Sequence, residues 1–426
     1  MLVFGVLIAL LLLGFPMLVP LLAAALAMLV VEFPQVSPQV LVQQMIGGVK
    51  PSALVAVPMF ILAAELMTGG QTAQRLLDLV ESFVGHLRGG LAVTCAASCT
   101  LFGALSGSTQ ATVVAIGKPL RPRMLAAGYS DSFTTALLIN ASDIALLIPP
   151  SIGMIVYGVV SGTSIGELFL AGIGPGLLIL AMFSAYSVWA AQRQGVPRQP
   201  RLDWSRRGTA LRQALLPMGL PVIVIGGIYS GLFSPTEAAS MSVLYAAVLE
   251  LLVFRQIGWR ELPRIALDTG LVTGVVFVLV GAGAAFSWVI SFADLPAQFV
   301  GQTLGLTAAS GYWTIMLTIS AAFFVGCMFV DPIVVILILT PIFHPIAVAA
   351  GIDPVLVGLL VTLQVAIGSA TPPFGCDIFT AMAIFRKPYL EVIAGTPPFI
   401  VMLLLASLLV IVFPSIALLL RDLAFS

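Results

Sequence analysis

Apolar runs of roughly 20 residues, the length that crosses a bilayer as a helix, recur near positions 3–30, 51–69, 133–160, 166–191, 213–232, 236–254, 266–292, 355–385 and 396–420. Two further apolar stretches behave differently. Residues 89–122 are too long for one span and lack the charged middle of a loop between two spans, yet both ends are basic and Gly103-Ala-Leu-Ser-Gly-Ser108 lies at the centre. This predicts a chain that enters and leaves on one side, a re-entrant hairpin of two half-helices with a Gly/Ser tip buried in protein. Residues 308–344 predict a second hairpin, broken at Gly326-Cys-Met-Phe-Val-Asp-Pro332, with Asp331 as N-cap and Pro332 opening the second arm. Between Gln71 and Leu87 the residues Leu76, Leu77, Val80, Phe83, Val84 and Leu87 share a face, with Arg75, Asp78 and Glu81 elsewhere. That pattern predicts an amphipathic helix in the membrane interface, with a weaker counterpart near Asp294–Leu306.

The helix-breakers occur twice. Gly103, Gly128, Pro149-Pro150, Ala171-Gly172 and Pro175 are matched by Gly326, Gly351, Pro372-Pro373, Ala394-Gly395 and Pro398, all at the offset that separates residue 103 from residue 326. A period this long is no solenoid unit; it predicts a transporter made of two copies of one fold with the binding site between them. The expected fold is an all-α polytopic membrane protein of two inverted repeats, each with a re-entrant hairpin and a Pro-broken transmembrane helix. The first repeat covers 1–192, with its hairpin at about 89–122 and broken helix at about 133–160. Residues 193–232 form a cytoplasmic Arg-rich loop and one linking helix, whose extra crossing inverts the second repeat. That repeat covers 233–426, with its hairpin at about 308–344 and broken helix at about 355–385, and Ser234-Pro-Thr-Glu237 opens it with a capping-box pattern.

Composition removes the soluble alternatives: 60% of residues are hydrophobic and 8% charged, against about 25% charged in ordinary domains. Net charge is zero, and nothing points to nucleic acid. Of the 18 lysines and arginines, only Lys50 and Arg421 fall on one side of this topology, and the rest on the other. The basic side is cytoplasmic, which places the N-terminus in the cytoplasm and the C-terminus in the periplasm. Residues 1–31 have no basic n-region and are long enough to span, so no cleavable signal is expected. The four cysteines lie in apolar stretches, where they act as small hydrophobes; no disulfide is expected. Gly117-Lys118 is followed by Pro119 rather than a Walker hydroxyl, and no H-E-x-x-H helix occurs. Neither an enzyme nor an ATP-driven pump is read from this chain, and no cofactor beyond a coupling ion.

A proline in a helix leaves the carbonyl four residues earlier without its donor. Pro149 and Pro150 free those of Ala145 and Leu146, and Pro372 and Pro373 those of Gly368 and Ser369. Beside nearby hydroxyls these oxygens suit a hard monovalent cation. The cation-binding candidates are Ser106, Ser108, Ser142, Asp143, Ala145, Gly326, Gly368, Thr371 and Asp377. Helix N-termini at the hairpin tips suit an anion, which makes Gly107, Ser108, Pro150, Ser151, Asp331 and Pro373 substrate-binding candidates. Asp143, Asp331 and Asp377 are carboxylates inside apolar segments, a functional signal by default. Sodium is the expected coupling ion, and Asp143 and Asp377 leave a proton open. Glu65 reads as a helix-end residue that snorkels or caps. His86 and His344 stand at segment ends, too far apart for a metal site.

Several strings in order resemble the large membrane subunit of tripartite ATP-independent periplasmic (TRAP) transporters, within the ion-transporter superfamily. They are Pro58-Met-Phe-Ile-Leu-Ala-Ala-Glu65-Leu-Met, Gly85-His-Leu-Arg-Gly-Gly90, Phe102-Gly-Ala-Leu-Ser-Gly-Ser108, Ile148-Pro-Pro-Ser-Ile152, Tyr157-Gly158, Leu168-Phe-Leu-Ala-Gly172, Gly227-Ile-Tyr-Ser-Gly231, Ser234-Pro-Thr-Glu-Ala-Ala239, Gly351-Ile-Asp-Pro354 and Thr371-Pro-Pro373. The resemblance implies a permease of the bacterial inner membrane that imports a small organic acid (carboxylate) with sodium. It further implies a soluble periplasmic binding protein as donor, a small four-helix membrane subunit as partner, and an elevator motion of the hairpin-bearing region. Thr112 stands where the family usually has an acidic residue, Asp143, Ala145 and Leu146 where Thr, Gly and Pro are common, and Cys376-Asp377 where an apolar residue and Asn are common. These departures fall on the positions read as ion sites. A single-component sodium- or proton-coupled anion transporter of the same superfamily is the alternative.

Overall fold

The computed structural model describes residues 2–295, 305–307 and 309–425, and its regular elements are all helical. Seven described helices are long and apolar enough to cross a membrane, and an eighth arises if Pro397–Val412 and Ser415–Phe425, bent by 54°, count as one. The 3–30 run differs from expectation. It is two helices, Leu2–Leu12 and Leu18–Glu32, packed on each other. Gly14 takes a φ of +79° between them and Pro16 follows, so two breakers outweigh the unbroken hydropathy. The linking helix runs Trp204–Tyr229 and so absorbs half of the segment expected to be a solvated loop. Arg207 anchors that extension: it is buried, lies over the Phe83 and Trp204 rings and reaches His86 Nδ1 at 3.4 Å.

A helix pair stands at each expected hairpin; the arms have 17 or 18 residues, and those of the second pair are long and apolar enough to cross a membrane rather than half-helices. The first pairs Gly90–Ser106 with Thr109–Ala126 across Gly107-Ser108; the second pairs Tyr312–Phe329 with Pro332–Ala349 across Val330-Asp331. Gly326 therefore lies inside an arm, and the break comes at the residues that can cap the next helix. Ser108 Oγ accepts from the Ala111 amide at 3.4 Å and Asp331 Oδ1 from the Ile333 amide at 2.9 Å. Each second arm has 18 residues, about 27 Å of helix. The first tip is buried as expected, whereas Asp331 at the second is exposed.

The Pro-Pro pairs break two helices. Asp131–Ser142 continues through a 3₁₀ turn at Asp143–Leu146 and resumes as Ile152–Ser161, and Pro354–Ser369 resumes as Cys376–Phe385. Both Pro-Pro peptide bonds are cis. The first arm of each hairpin packs on the first half of its own broken helix. Each second arm packs on the first half of its own broken helix and, exchanged, on the second half of the other: Thr109–Ala126 on Asp131–Ser142 and Cys376–Phe385, and Pro332–Ala349 on Pro354–Ser369 and Ile152–Ser161. Small residues permit the closest contacts. A Cβ on Gly103 would lie 2.6 Å from Ala145 Cα, and in the second copy a Cβ on Gly368 would overlap that of Cys327. Asp131 pairs with Arg121 of the first hairpin at 2.5 Å and, across the seam, with Lys387.

The amphipathic segment is the helix Thr72–Val84, but its apolar stripe packs on protein. Leu76, Leu77 and Val80 are buried, with the first hairpin arm and the linking helix against this element, while Phe83 and Leu87 stay exposed. The counterpart expected near Asp294–Leu306 lies largely outside the described residues. Glu250 caps the amphipathic helix from another element: its carboxylate accepts from Thr72 Oγ1 at 2.6 Å and from the Gln71 amide at 3.3 Å. Removing a carboxylate cap of this kind typically costs about 1–2 kcal/mol. Glu250→Ala is expected to lower the thermal unfolding midpoint in detergent, with Glu250→Gln intermediate. An unchanged midpoint would remove this cap from the account.

Candidate functional site

The two hairpin tips and two helix breaks converge on one place. A cavity of about 410 Å³ lies there, lined by Ser106–Ala111 of the first tip, Asp331–Ile333 of the second, and Glu65, Ile152, Cys376 and Thr380 from the surrounding helices. Its lining carries the carboxylates of Glu65 and Asp331 and the amide of Gln110, with no lysine, arginine or histidine. Positive character comes from the helix N-termini that open at Thr109 and Pro332. Gly107 adopts a φ of +59°, and a Cβ there would overlap the Pro150 carbonyl oxygen. The first tip thus rests directly on the first Pro-Pro break, whose Ser151 caps the resuming helix by accepting from the Met154 amide at 3.3 Å.

Of the substrate candidates, Gly107, Ser108 and Asp331 line the cavity, and Pro150 and Ser151 lie behind it. Pro373 does not line the cavity, and its carbonyl accepts from Tyr389 Oη at 3.0 Å.

The cation candidates divide. Ser106 Oγ lies 3.2 Å from Thr112 Oγ1, which donates to the Ser108 carbonyl at 2.8 Å. Ser142 Oγ donates to the Leu138 carbonyl at 2.7 Å, and Ala145 packs on Gly103. In the second copy Thr371 Oγ1 donates to the Ile367 carbonyl at 2.6 Å. The Gly326 and Gly368 carbonyls each accept a backbone amide, from Val330 at 3.0 Å and Thr371 at 3.1 Å, which leaves each one lone pair. The Gly368 carbonyl expected to be free of any donor is therefore engaged. Asp143 and Asp377, one from each Pro-broken helix, come together at Ser369. Ser369 Oγ lies 2.9 Å from Asp377 Oδ2 and 3.4 Å from Asp143 Oδ1, while Thr109 Oγ1 donates to Asp377 Oδ1 at 2.7 Å.

Sequence reasoning missed Glu65, Thr109, Gln110 and Ser369. For Glu65 the signal was present, a carboxylate within an otherwise apolar helix, Ala56–Gly69. The hydroxyls and the amide carry no comparable signal, because their partners are far away in sequence.

Membrane-length helices, duplicated hairpins and a polar cavity between their tips define a polytopic membrane transport protein. The chain belongs to the family described as "Tripartite ATP-independent periplasmic transporter, DctM component", matched over residues 4–416, as the sequence resemblance implied. It is 63% identical over 425 residues to the ectoine/5-hydroxyectoine TRAP transporter large permease protein UehC of Ruegeria pomeroyi, covering 100% of this chain and 99% of that one. Similarity to the ectoine TRAP transporter large permease protein TeaC of Halomonas elongata is 62% over 419 residues, 98% of both chains. The C4-dicarboxylate TRAP transporter large permease protein DctM of Pseudomonas aeruginosa is 36% identical over 367 residues, 86% of this chain and 85% of that one. Among solved structures, the YdaH transporter of Alcanivorax borkumensis superposes with a TM-score of 0.63, covering 88% of this chain and 87% of that one. At 18% identity it shares the fold alone. Such relatives are permease subunits and not enzymes.

Proposed function

We propose that this chain is the large permease of a sodium-coupled importer in the inner membrane, and that it takes up an ectoine-type organic acid delivered by a soluble periplasmic binding protein. A small four-helix subunit completes the membrane complex. The observation that carries this reading is the cavity between the hairpin tips. Ectoine is a cyclic amidinium carboxylate, neutral overall. Its carboxylate suits the helix N-termini at Ser108–Ala111 and Asp331–Ile333, and its amidinium suits a wall that holds Glu65 and Asp331 and no basic side chain. A dicarboxylate would meet those two carboxylates with no lysine or arginine to offset them. The names of the two relatives above 60% identity agree with this choice.

The exchanged second arms support two inverted copies, because each copy then supplies to the other what it receives. Hairpins and broken helices would move as one elevator body against the helices Gln39–Val49, Pro235–Val253 and Leu262–Phe292, with the N-terminus cytoplasmic and the C-terminus periplasmic. Reconstitution tests the reading. In proteoliposomes holding this chain and the small subunit, labelled ectoine should accumulate under an inward sodium gradient only when the binding protein is added. Equal accumulation by this chain alone would support a single-component transporter, and none under any gradient would remove the substrate assignment.

A further inference from the structure

Asp143 and Asp377 are 1% and 0% exposed, and both carboxyl groups face the one Ser369 hydroxyl, at 3.4 Å from Asp143 Oδ1 and 2.9 Å from Asp377 Oδ2. Buried charges are ordinarily paired or hold a cation. Among the described residues no lysine, arginine or histidine forms an ion pair with either one.

The hydrogen-bond count is short as well. Four carboxylate oxygens are served by two hydroxyls, those of Thr109 and Ser369. A hydroxyl has one proton, and that of Ser369 also faces the Ala366 carbonyl at 2.7 Å, so three acceptors compete for it. Asp143 Oδ2 is buried with no donor. One helical turn earlier on the same face, Asn140 is 0% exposed and its Oδ1 is likewise without a donor. The shortage is of positive charge and of several donors at once. A single proton between the carboxyls satisfies one acceptor, whereas a sodium ion gathers several oxygens.

We propose that Asp143 and Asp377 hold one sodium ion between them, in a site that each copy half-builds and neither completes alone. Ser369 Oγ is the third oxygen, and the open face is that of Asp143 Oδ2. The consequence is a direct one. A site made of Asp143 beside the first Pro-Pro break and Asp377 beside the second is assembled only when the two breaks are seated together, so the ion reports on the arrangement of both cavity walls. The proposal deepens the sodium-coupled reading and rests on it for the use of the ion, but binding is testable without transport.

The test uses the chain in complex with its small subunit, in detergent at fixed pH and ionic strength, with sodium chloride replaced by potassium chloride. A ligand that binds only the folded state raises the unfolding midpoint. Wild type should show a saturable rise with sodium. Asp377→Asn and Asp143→Asn should fold, keep a midpoint in potassium close to or above that of wild type, and need at least tenfold more sodium for half the effect. Ser369→Ala should need several-fold more. If Asp143→Asn does not fold, Asp377→Asn decides. Unchanged half-saturation in the aspartate variants overturns the site. So does a wild type indifferent to sodium but stabilised by acidification in a manner lost in Asp377→Asn, which would give the pair a proton. Sodium binding that depends on the aspartates in a complex that imports no ectoine would leave the site standing and remove the substrate assignment.

Discussion

Gly107→Val is expected to reduce uptake by the reconstituted complex more than tenfold while the protein remains in the membrane. Two independent costs fall on this residue. Its φ of +59° is a conformation that β-branched residues adopt only as outliers, at a cost of roughly 1–2 kcal/mol. The new Cβ would also occupy the space of the Pro150 carbonyl oxygen, with the carbonyl carbon 3.0 Å away. That neighbour is backbone within a break already fixed by Ser151, so it cannot rotate aside. The tip must lift, and with it Ser108 and the N-terminus of Thr109–Ala126, which form a wall of the cavity. Gly107→Ala carries both costs in smaller measure and should fall between. Gly128 supplies the control: its φ is +96° with nothing within 4 Å of a Cβ, so Gly128→Ala strains the backbone without moving the cavity. Uptake normalised to membrane content is the measurement. Wild-type rates in Gly107→Val would show that the tip does not rest on the Pro-Pro break.

What the chain discloses locally, it discloses well. The Gly-Ser tip, the Pro-Pro breaks, Asp331 as a cap and the Ser234–Glu237 capping box are each set by residues within a turn of one another, and each is where the sequence puts it. Hydropathy misleads where breakers are embedded in a strongly apolar run, as at Gly14 and Pro16, and it cannot separate a half-helix from an arm of 18 residues. The site was legible only in part for a different reason. Thr109 and Asp377 are 268 positions apart, and Ser369 and Asp143 are 226 apart. The duplication invites a mirrored reading, one set of oxygens per copy. The exchanged arms bring the two carboxylates to one seam, and no periodicity within either copy encodes that.

Gly368 separates two explanations of a glycine at a helix break, and Gly368→Ala decides between them. If the residue matters for its carbonyl, alanine retains that carbonyl and the substitution is silent. If it matters for close approach, alanine is disruptive, because its Cβ would overlap the Cβ of Cys327 and lie 3.0 Å from the backbone carbonyl carbon of that residue. The second outcome is expected, since the Gly368 carbonyl already accepts the Thr371 amide at 3.1 Å and Cys327 is buried in the facing arm. Overpacking of this kind costs about 1–3 kcal/mol, and the loss should appear as a lowered unfolding midpoint. Cys327→Gly removes the opposing Cβ, and by itself costs about 1 kcal/mol as a helix-interior glycine. In combination the two changes should be less destabilising than their sum, with a coupling of about 1 kcal/mol or more for residues in contact. The same cycle at Gly103 and Ala145 should show coupling of the same sign, because there too a hairpin arm meets a broken helix at a glycine. Additive midpoints in both cycles would mean that the hairpin arms and broken helices do not touch where the glycines stand.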